Sequence, residues 1–197
     1  MQYIYIPNQL PLDYVVPFVY IINKWSGIIT VTTLLKEMGI KNIYNNRKWL
    51  NDSIQEMIDQ GWINAKKIKN SKYELGEPNV YEPGSFRSYK FNDIDLLMHI
   101  KECNPIMLVK YYIVLVGSIN YKTHIGFCSL DTLSERAGIN LLTAIKYNKI
   151  LAKNGIIYYE RFKNMGVCNR YGLYDDREFV RQEAIRISLQ CGKLIHS

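Results

Sequence analysis

A mainly α fold with small β ribbons (α+β), laid out as two tandem modules and a C-terminal helix, follows from three features of this 197-residue sequence. First, one helix-closing pattern occurs twice, as Thr33-Leu34-Leu35-Lys36-Glu37-Met38-Gly39-Ile40 and as Thr132-Leu133-Ser134-Glu135-Arg136-Ala137-Gly138-Ile139. In each, apolar residues at helical spacing run into a glycine that can take the left-handed conformation of a helix end. Second, a further helix follows each turn, ends at Gly61 or Gly155, and leads into an apolar strand start, Trp62-Ile63 or Ile156-Ile157-Tyr158-Tyr159. Third, an apolar helix precedes each pattern.

In chain order, residues 15–25 predict the first helix and residues 27–30 a short strand. The helix closed by Gly39 comes next. A short insertion, residues 41–44, separates it from a helix that starts at Asn45 or Asn46 and ends at Gln60. A long ribbon follows: Lys66 to Lys69, a Pro/Gly loop over residues 76–85 that carries Glu77 and Glu82, and a return strand over residues 86–91. In the second module residues 106–119 are apolar nearly all round and predict a buried helix. Residues 124–128 predict a strand, and Ser129 caps a helix reaching Arg136. Asn140 caps the next helix, which reaches Asn154. Residues 156–161, a turn at residues 163–166 and residues 169–174 form the second ribbon. A final helix spans residues 175–191, with Asp175 and Asp176 at its positive end. Val180, Ala184, Ile187 and Cys191 share one stripe, leaving Arg177, Arg181 and Arg186 to solvent. The modules are expected at residues 1–91 and 92–174, with residues 175–197 as the tail helix. Counting back from Gly61 and Gly155 aligns Leu50, Ile54 and Met57 with Ala144, Asn148 and Leu151; Asn148 breaks the apolar pattern.

The order helix, strand, helix, turn, helix, strand, wing, strand resembles the winged helix-turn-helix DNA-binding superfamily, here in two tandem copies covering the chain to about Tyr174. The most specific piece is Asn140, Thr143 and Lys146 followed by Leu151, Gly155 and Ile157, six positions over 18 residues that look like a recognition-helix pattern. In the first copy Trp49 and Asp52 stand where Thr and a basic residue would be. The tandem arrangement is similar to plasmid and phage replication initiators and replisome organisers, and to small transcriptional regulators. The resemblance implies a sequence-specific double-stranded DNA-binding protein of a phage, plasmid or other mobile element. It would act as a repressor-like transcriptional regulator or as a replication initiator. Two unlike modules in one chain could read an asymmetric site without dimerising.

The same resemblance assigns candidate contacts. In the second copy Asn140, Thr143, Lys146 and Tyr147 would approach base edges, with Asn suited to adenine and Lys to guanine. Lys149 and Lys153 would meet phosphates, and the wing would add Arg161, Lys163 and Arg170. From Lys146 to Arg170 there are six basic residues and one acid, Glu160. In the first copy Asn45, Asn46, Arg47 and Lys48 crowd the helix start and Lys66, Lys67 and Lys69 begin the wing. Seven basic residues lie between Lys41 and Lys72 against Asp52, Glu56 and Asp59.

Composition bounds the alternatives. The net charge of +7, from 25 Lys and Arg against 18 Asp and Glu, favours an anionic partner. Residues 1–91 carry +3 and residues 92–197 carry +4. No stretch approaches the roughly 18 unbroken apolar residues of a membrane span, and the first residues lack a basic region followed by an apolar core. A cytoplasmic, nucleoid-associated protein without membrane contact is expected. Cys103, Cys128, Cys168 and Cys191 are far apart and the histidines are His99, His124 and His196, so no paired metal ligands occur and buried free thiols are expected. No P-loop, GxSxG or paired-carboxylate motif appears. No metal, no cofactor and no enzymatic activity are therefore expected. The sixteen tyrosines suggest single-strand stacking, but Tyr111-Tyr112 and Tyr158-Tyr159 fall in a core helix and a strand. Beyond DNA, a homodimer through the C-terminal helix and replisome or transcription proteins are the partners considered. The competing reading is a protein-interaction scaffold on winged-helix folds without base reading. It draws on Trp49, Asp52, the acidic loop and the stripe from Val180 to Cys191.

Overall fold

The protein is described by a computed structural model covering residues 3–24, 27–77, 85–161 and 168–195. The chain is mixed α and β, with small antiparallel sheets, and divides into two compact units, Met1–Ile100 and Lys101–Ser197.

In the first unit β1 (Tyr3–Pro7) leads through a short 3-10 turn into α1 (Val15–Ile22), which buries Val15, Val16, Phe18, Val19 and Ile21. Then come β2 (Gly27–Thr30), α2 (Val31–Glu37) and α3 (Tyr44–Asp59). The Thr30 hydroxyl accepts from the Thr33 N–H at 3.1 Å and so caps α2. Gly39 ends the turn at φ +67°, a conformation that costs an L side chain energy. Leu50, Ile54 and Met57 of α3 are all fully buried.

The ribbon departs from expectation. β3 (Ala65–Lys69) turns back at once, with Ser71 in the left-handed region at φ +61°, into β4 (Lys72–Leu75), and the sheet order is β2-β4-β3. The strand expected to close this ribbon, β5 (Phe86–Lys90), instead pairs antiparallel with β1, Tyr3 opposite Lys90 and Pro7 opposite Phe86. The reason is local. Tyr73 and Leu75 of β4 bury their side chains, so the short strand satisfies both the core and the ladder. Residues 78–84 of the acidic loop lie outside the described residues, as does Trp25. A helix absent from the sequence reading, α4 (Phe91–Met98), completes this unit, burying Ile94 and Leu97.

The second unit repeats the order. α5 (Pro105–Gly117), capped by Asn104 with proline in its first turn, buries Leu108, Val109, Tyr111, Tyr112, Ile113 and Leu115. β6 (Ile119–Asn120), β7 (Ile125–Phe127), α6 (Leu130–Ala137) and α7 (Leu141–Lys153) follow. The Ser129 hydroxyl caps α6 through the Thr132 N–H at 3.0 Å, the counterpart of Thr30 and Thr33. β8 (Ile157–Glu160) and β9 (Arg170–Leu173) complete a sheet of order β6-β7-β9-β8. Ala144 and Leu151 are fully buried. Asn148, which interrupts the apolar pattern, is buried with them and accepts a hydrogen bond from the Tyr111 hydroxyl at 2.8 Å. His124, expected on a strand, precedes β7 in a turn with φ +59°. Its ring stacks on Phe179 and lies 3.3 Å from the Asp176 carboxylate.

The last helix, α8 (Arg177–Ile195), packs on β8 and β9 of this unit. Its Val180 is fully buried and Ile187 nearly so, as the stripe predicts; the side chain of Cys191 is outside the described residues. Arg177 stacks on Tyr174, Arg181 pairs with Glu178 and Arg186 with Glu183. Trp49 and Trp62 are half-buried. Among the described cysteines only Cys128 is buried, Cys103 being intermediate and Cys168 exposed.

Two features hold α8. A Cβ at Gly172 of β9 would stand 2.5 Å from Val180 Cγ2 and 3.1 Å from the His124 carbonyl oxygen, so only glycine allows this approach. Gly172→Ala is expected to destabilise the protein by about 1–3 kcal/mol through overpacking, measured by urea unfolding. The Glu183 carboxylate accepts two hydrogen bonds from the Arg186 guanidinium, both 2.7 Å, and Arg170 lies 3.9 Å away. The Arg186 hydrogen bonds hold Glu183 below the usual carboxylate range, against the opposing effect of burial. The stabilised form is the charged one, so this contribution is complete at neutral pH and is lost as pH falls below the ordinary glutamate value. Glu183→Gln should therefore lose stability at neutral pH and show a flatter stability-versus-pH curve in acid. An unchanged curve would contradict this assignment.

Candidate nucleic-acid interface

Helix α7 is set up by its cap. Asn140 Oδ1 accepts from the Thr143 N–H at 2.8 Å, satisfying one of the free amides at the helix start. The face formed by Ala144, Tyr147, Asn148 and Leu151 is buried. Residues three and four apart share a face, so Leu142, Lys146, Lys149 and Lys153 form one stripe, and all four are exposed. Lys146 Nζ donates to the Glu102 backbone carbonyl at 2.8 Å and Lys153 Nζ lies 3.3 Å from the Glu102 carboxylate. That ion pair is solvent-exposed on both sides, and such pairs contribute little, so both lysines can be re-engaged by another anion. Arg161, just past β8, is exposed as well.

Three of the expected contacts in this unit are reassigned by the geometry. Tyr147 is buried, 4% exposed, with its ring edge-on to Tyr111 at 5.7 Å, and so reaches no ligand. Burial raises its hydroxyl above the ordinary phenol value. Arg170 has a side chain only 11% exposed; its guanidinium lies over the Phe127 ring at 4.5 Å and beside Glu183, so it serves the attachment of α8. Asn140 spends its carbonyl oxygen on the cap, whereas bidentate pairing with adenine needs both ends of the amide. Thr143 is partly accessible. Lys163 lies outside the described residues.

In the first unit the register equivalent to Leu142, Lys146, Lys149 and Lys153 is held by Lys48, Asp52, Gln55 and Asp59 of α3. These side chains pair with one another: Lys48 with Asp52 at 3.1 Å and Gln55 with Asp59 at 2.9 Å. The stripe that carries three cations on α7 carries one cation and two carboxylates on α3. Arg47 and Lys48 instead join Lys67 around an open cleft of about 470 Å³, between α3 and the β3–β4 turn, lined also by Tyr44, Asn51, Asp52, Asn70 and Ser71. Asn51 braces this cleft by donating to Ser71 Oγ and accepting from the Tyr73 hydroxyl. Asn46 donates to the Lys41 carbonyl and so closes the inter-helix segment. Asn45, Lys66 and Lys69 are exposed but do not line the cleft.

The residues missed at sequence level are Asn51, Asn70 and Ser71, which only the hairpin turn brings beside α3, and Leu142, whose exposure follows from the register of α7. Among the described residues no group of three His, Cys, Asp or Glu side chains clusters to hold a metal ion, and no helix is long and apolar enough to cross a membrane.

No protein-family model matches the chain. Among curated proteins it is similar to the Listeriolysin regulatory protein of Listeria monocytogenes serovar 1/2a, 23% identical over 140 residues. The similarity covers 68% of this chain, and the chain spans 58% of that protein.

The cap assignment for Asn140 has a direct check. Asn140→Ala should cost about 1 kcal/mol of stability in thermal or urea unfolding, whereas Asn140→Ser, which keeps a capping oxygen, should recover most of it. Equal destabilisation by both variants would remove the capping role.

Proposed function

We propose that this protein is a winged-helix regulator that binds double-stranded DNA, with α7 as its recognition helix. The observation that carries this reading is the exposed stripe of Lys146, Lys149 and Lys153, continued by Arg161, on a helix that follows a capped turn and precedes a β-hairpin. A helix with that placement fits the major groove end-on, with its first turn at the bases and its later cations beside phosphates. The similarity to a protein named as regulatory favours a transcriptional role over replication initiation.

The two units divide the work unequally in this reading. α7 enters the groove. The first unit, whose equivalent stripe is internally paired, contributes backbone contact through the cleft of Arg47, Lys48 and Lys67. No catalytic step, cofactor or metal enters.

Fluorescence anisotropy with random-sequence duplex DNA over a range of salt concentrations tests the reading. Wild-type affinity should fall steeply with salt, because each phosphate neutralised releases counterions. Lys149→Ala plus Lys153→Ala should flatten the log–log slope by roughly one unit for each phosphate that is no longer neutralised. Binding that is absent, or indifferent to salt and to both substitutions, would refute DNA binding through α7. Capture of a protein partner under those conditions would support the scaffold alternative.

A further inference from the structure

The tip of α7 is apolar, although everything behind it on the same stripe is cationic. Leu142 is 77% exposed and its neighbour Leu141 is 40% exposed. Ile145, one turn on, is partly accessible. Two of the polar groups at this turn are engaged, Asn140 Oδ1 by the Thr143 N–H and Tyr147 by the core, which leaves the partly accessible Thr143 and the exposed Lys146 beside the leucines. The two leucines give the tip an apolar surface, held on a capped helix end with Lys146 and Lys149 behind it. In the first unit the equivalent position is Lys48; the apolar side chains exposed at the start of α3, Ile43 and Tyr44, stand at other positions of that helix.

The major groove has one apolar feature, the 5-methyl group of thymine. Resting on the DNA-binding reading above, we infer that Leu142, with Leu141 beside it, is a specificity-determining residue that packs against thymine methyls, so that the second unit selects T-containing steps by hydrophobic contact rather than by hydrogen bonds. The flanking charge fits this occupant. The lysines behind the tip would be repelled by a basic partner and attracted to phosphates, and an apolar side chain ahead of them at the helix start is placed for the base edge. Burying a methyl group against a leucine gives discrimination of about fourfold per methyl.

The test uses the full chain and duplexes selected from a randomised pool. Each selected duplex is then remade with deoxyuridine in place of thymidine, which deletes the methyl and leaves every hydrogen-bonding group. The expected result is enrichment of thymine at the selected core and about fourfold weaker binding for each contacted thymine replaced. Leu142→Ala should weaken binding to the thymine duplex by a similar factor and should no longer distinguish it from the uracil duplex. Its unfolding midpoint should match wild type, since the side chain is mostly in water. Equal wild-type affinity for thymine and uracil duplexes, with salt-dependent binding intact, would overturn the leucine–methyl contact and leave the DNA-binding reading standing. Selection without any sequence preference would do the same. Failure to retain any duplex would overturn both.

Discussion

The outward face of α7 depends on one buried amide. Asn148 lies between α5 and β9, accepts from the Tyr111 hydroxyl at 2.8 Å and also lies by that of Tyr171, itself held by Asn169 at 3.0 Å. Burial pushes both phenols above their ordinary value, while the amide opposes that shift. Leaving such a buried group unpaired costs about 1–3 kcal/mol. Turning α7 by one residue, about 100°, would break this bond, expose Leu151 and carry the lysine stripe toward the core. A purely apolar face tolerates small rotations; a hydrogen-bonded amide within it does not. The cation stripe and the leucine tip face water because Asn148 faces the tyrosines.

The two units use one scaffold for opposite surfaces. Thr30 and Thr33, like Ser129 and Thr132, start the first helix of each pair with the same hydroxyl cap. Gly39 and Gly138 end it in the left-handed conformation. Leu50, Ile54 and Met57 occupy the buried register of Ala144, Asn148 and Leu151. The solvent register shares none of this. On α3 it is closed by the Lys48–Asp52 and Gln55–Asp59 pairs, and on α7 it stays cationic. Packing constrains the inner face to volume and pattern, whereas water accepts either charge outside.

Helix α8 is part of the second unit rather than an appendage to it. Val180 reaches β9 because Gly172 has no side chain, and Arg170 is drawn away from the surface by Phe127 and Glu183. A cation that sequence spacing places on a wing thus becomes a fastening for the helix that follows. The same burial of a nominally functional side chain occurs at Tyr147.

Local signals determined a large share of this protein from sequence alone: the glycine-ended turns, the caps at Ser129 and Asn140, the helical spans and the repeated buried register. Each of these is settled by residues within a turn or two of one another, through hydrogen bonds and φ preferences that need no distant partner. The pairing of β5 with β1, the tight β3–β4 hairpin, and the burial of Tyr147, Asn148 and Arg170 were decided only in three dimensions. Strand partners far apart in sequence compete for the same ladder, and a tyrosine or arginine at a given spacing suits core and surface equally. Only the neighbours that arrive from other elements, Tyr111 beside Asn148 and Glu183 beside Arg170, choose between them, because burial of a polar group is tolerable only where a partner is already in place.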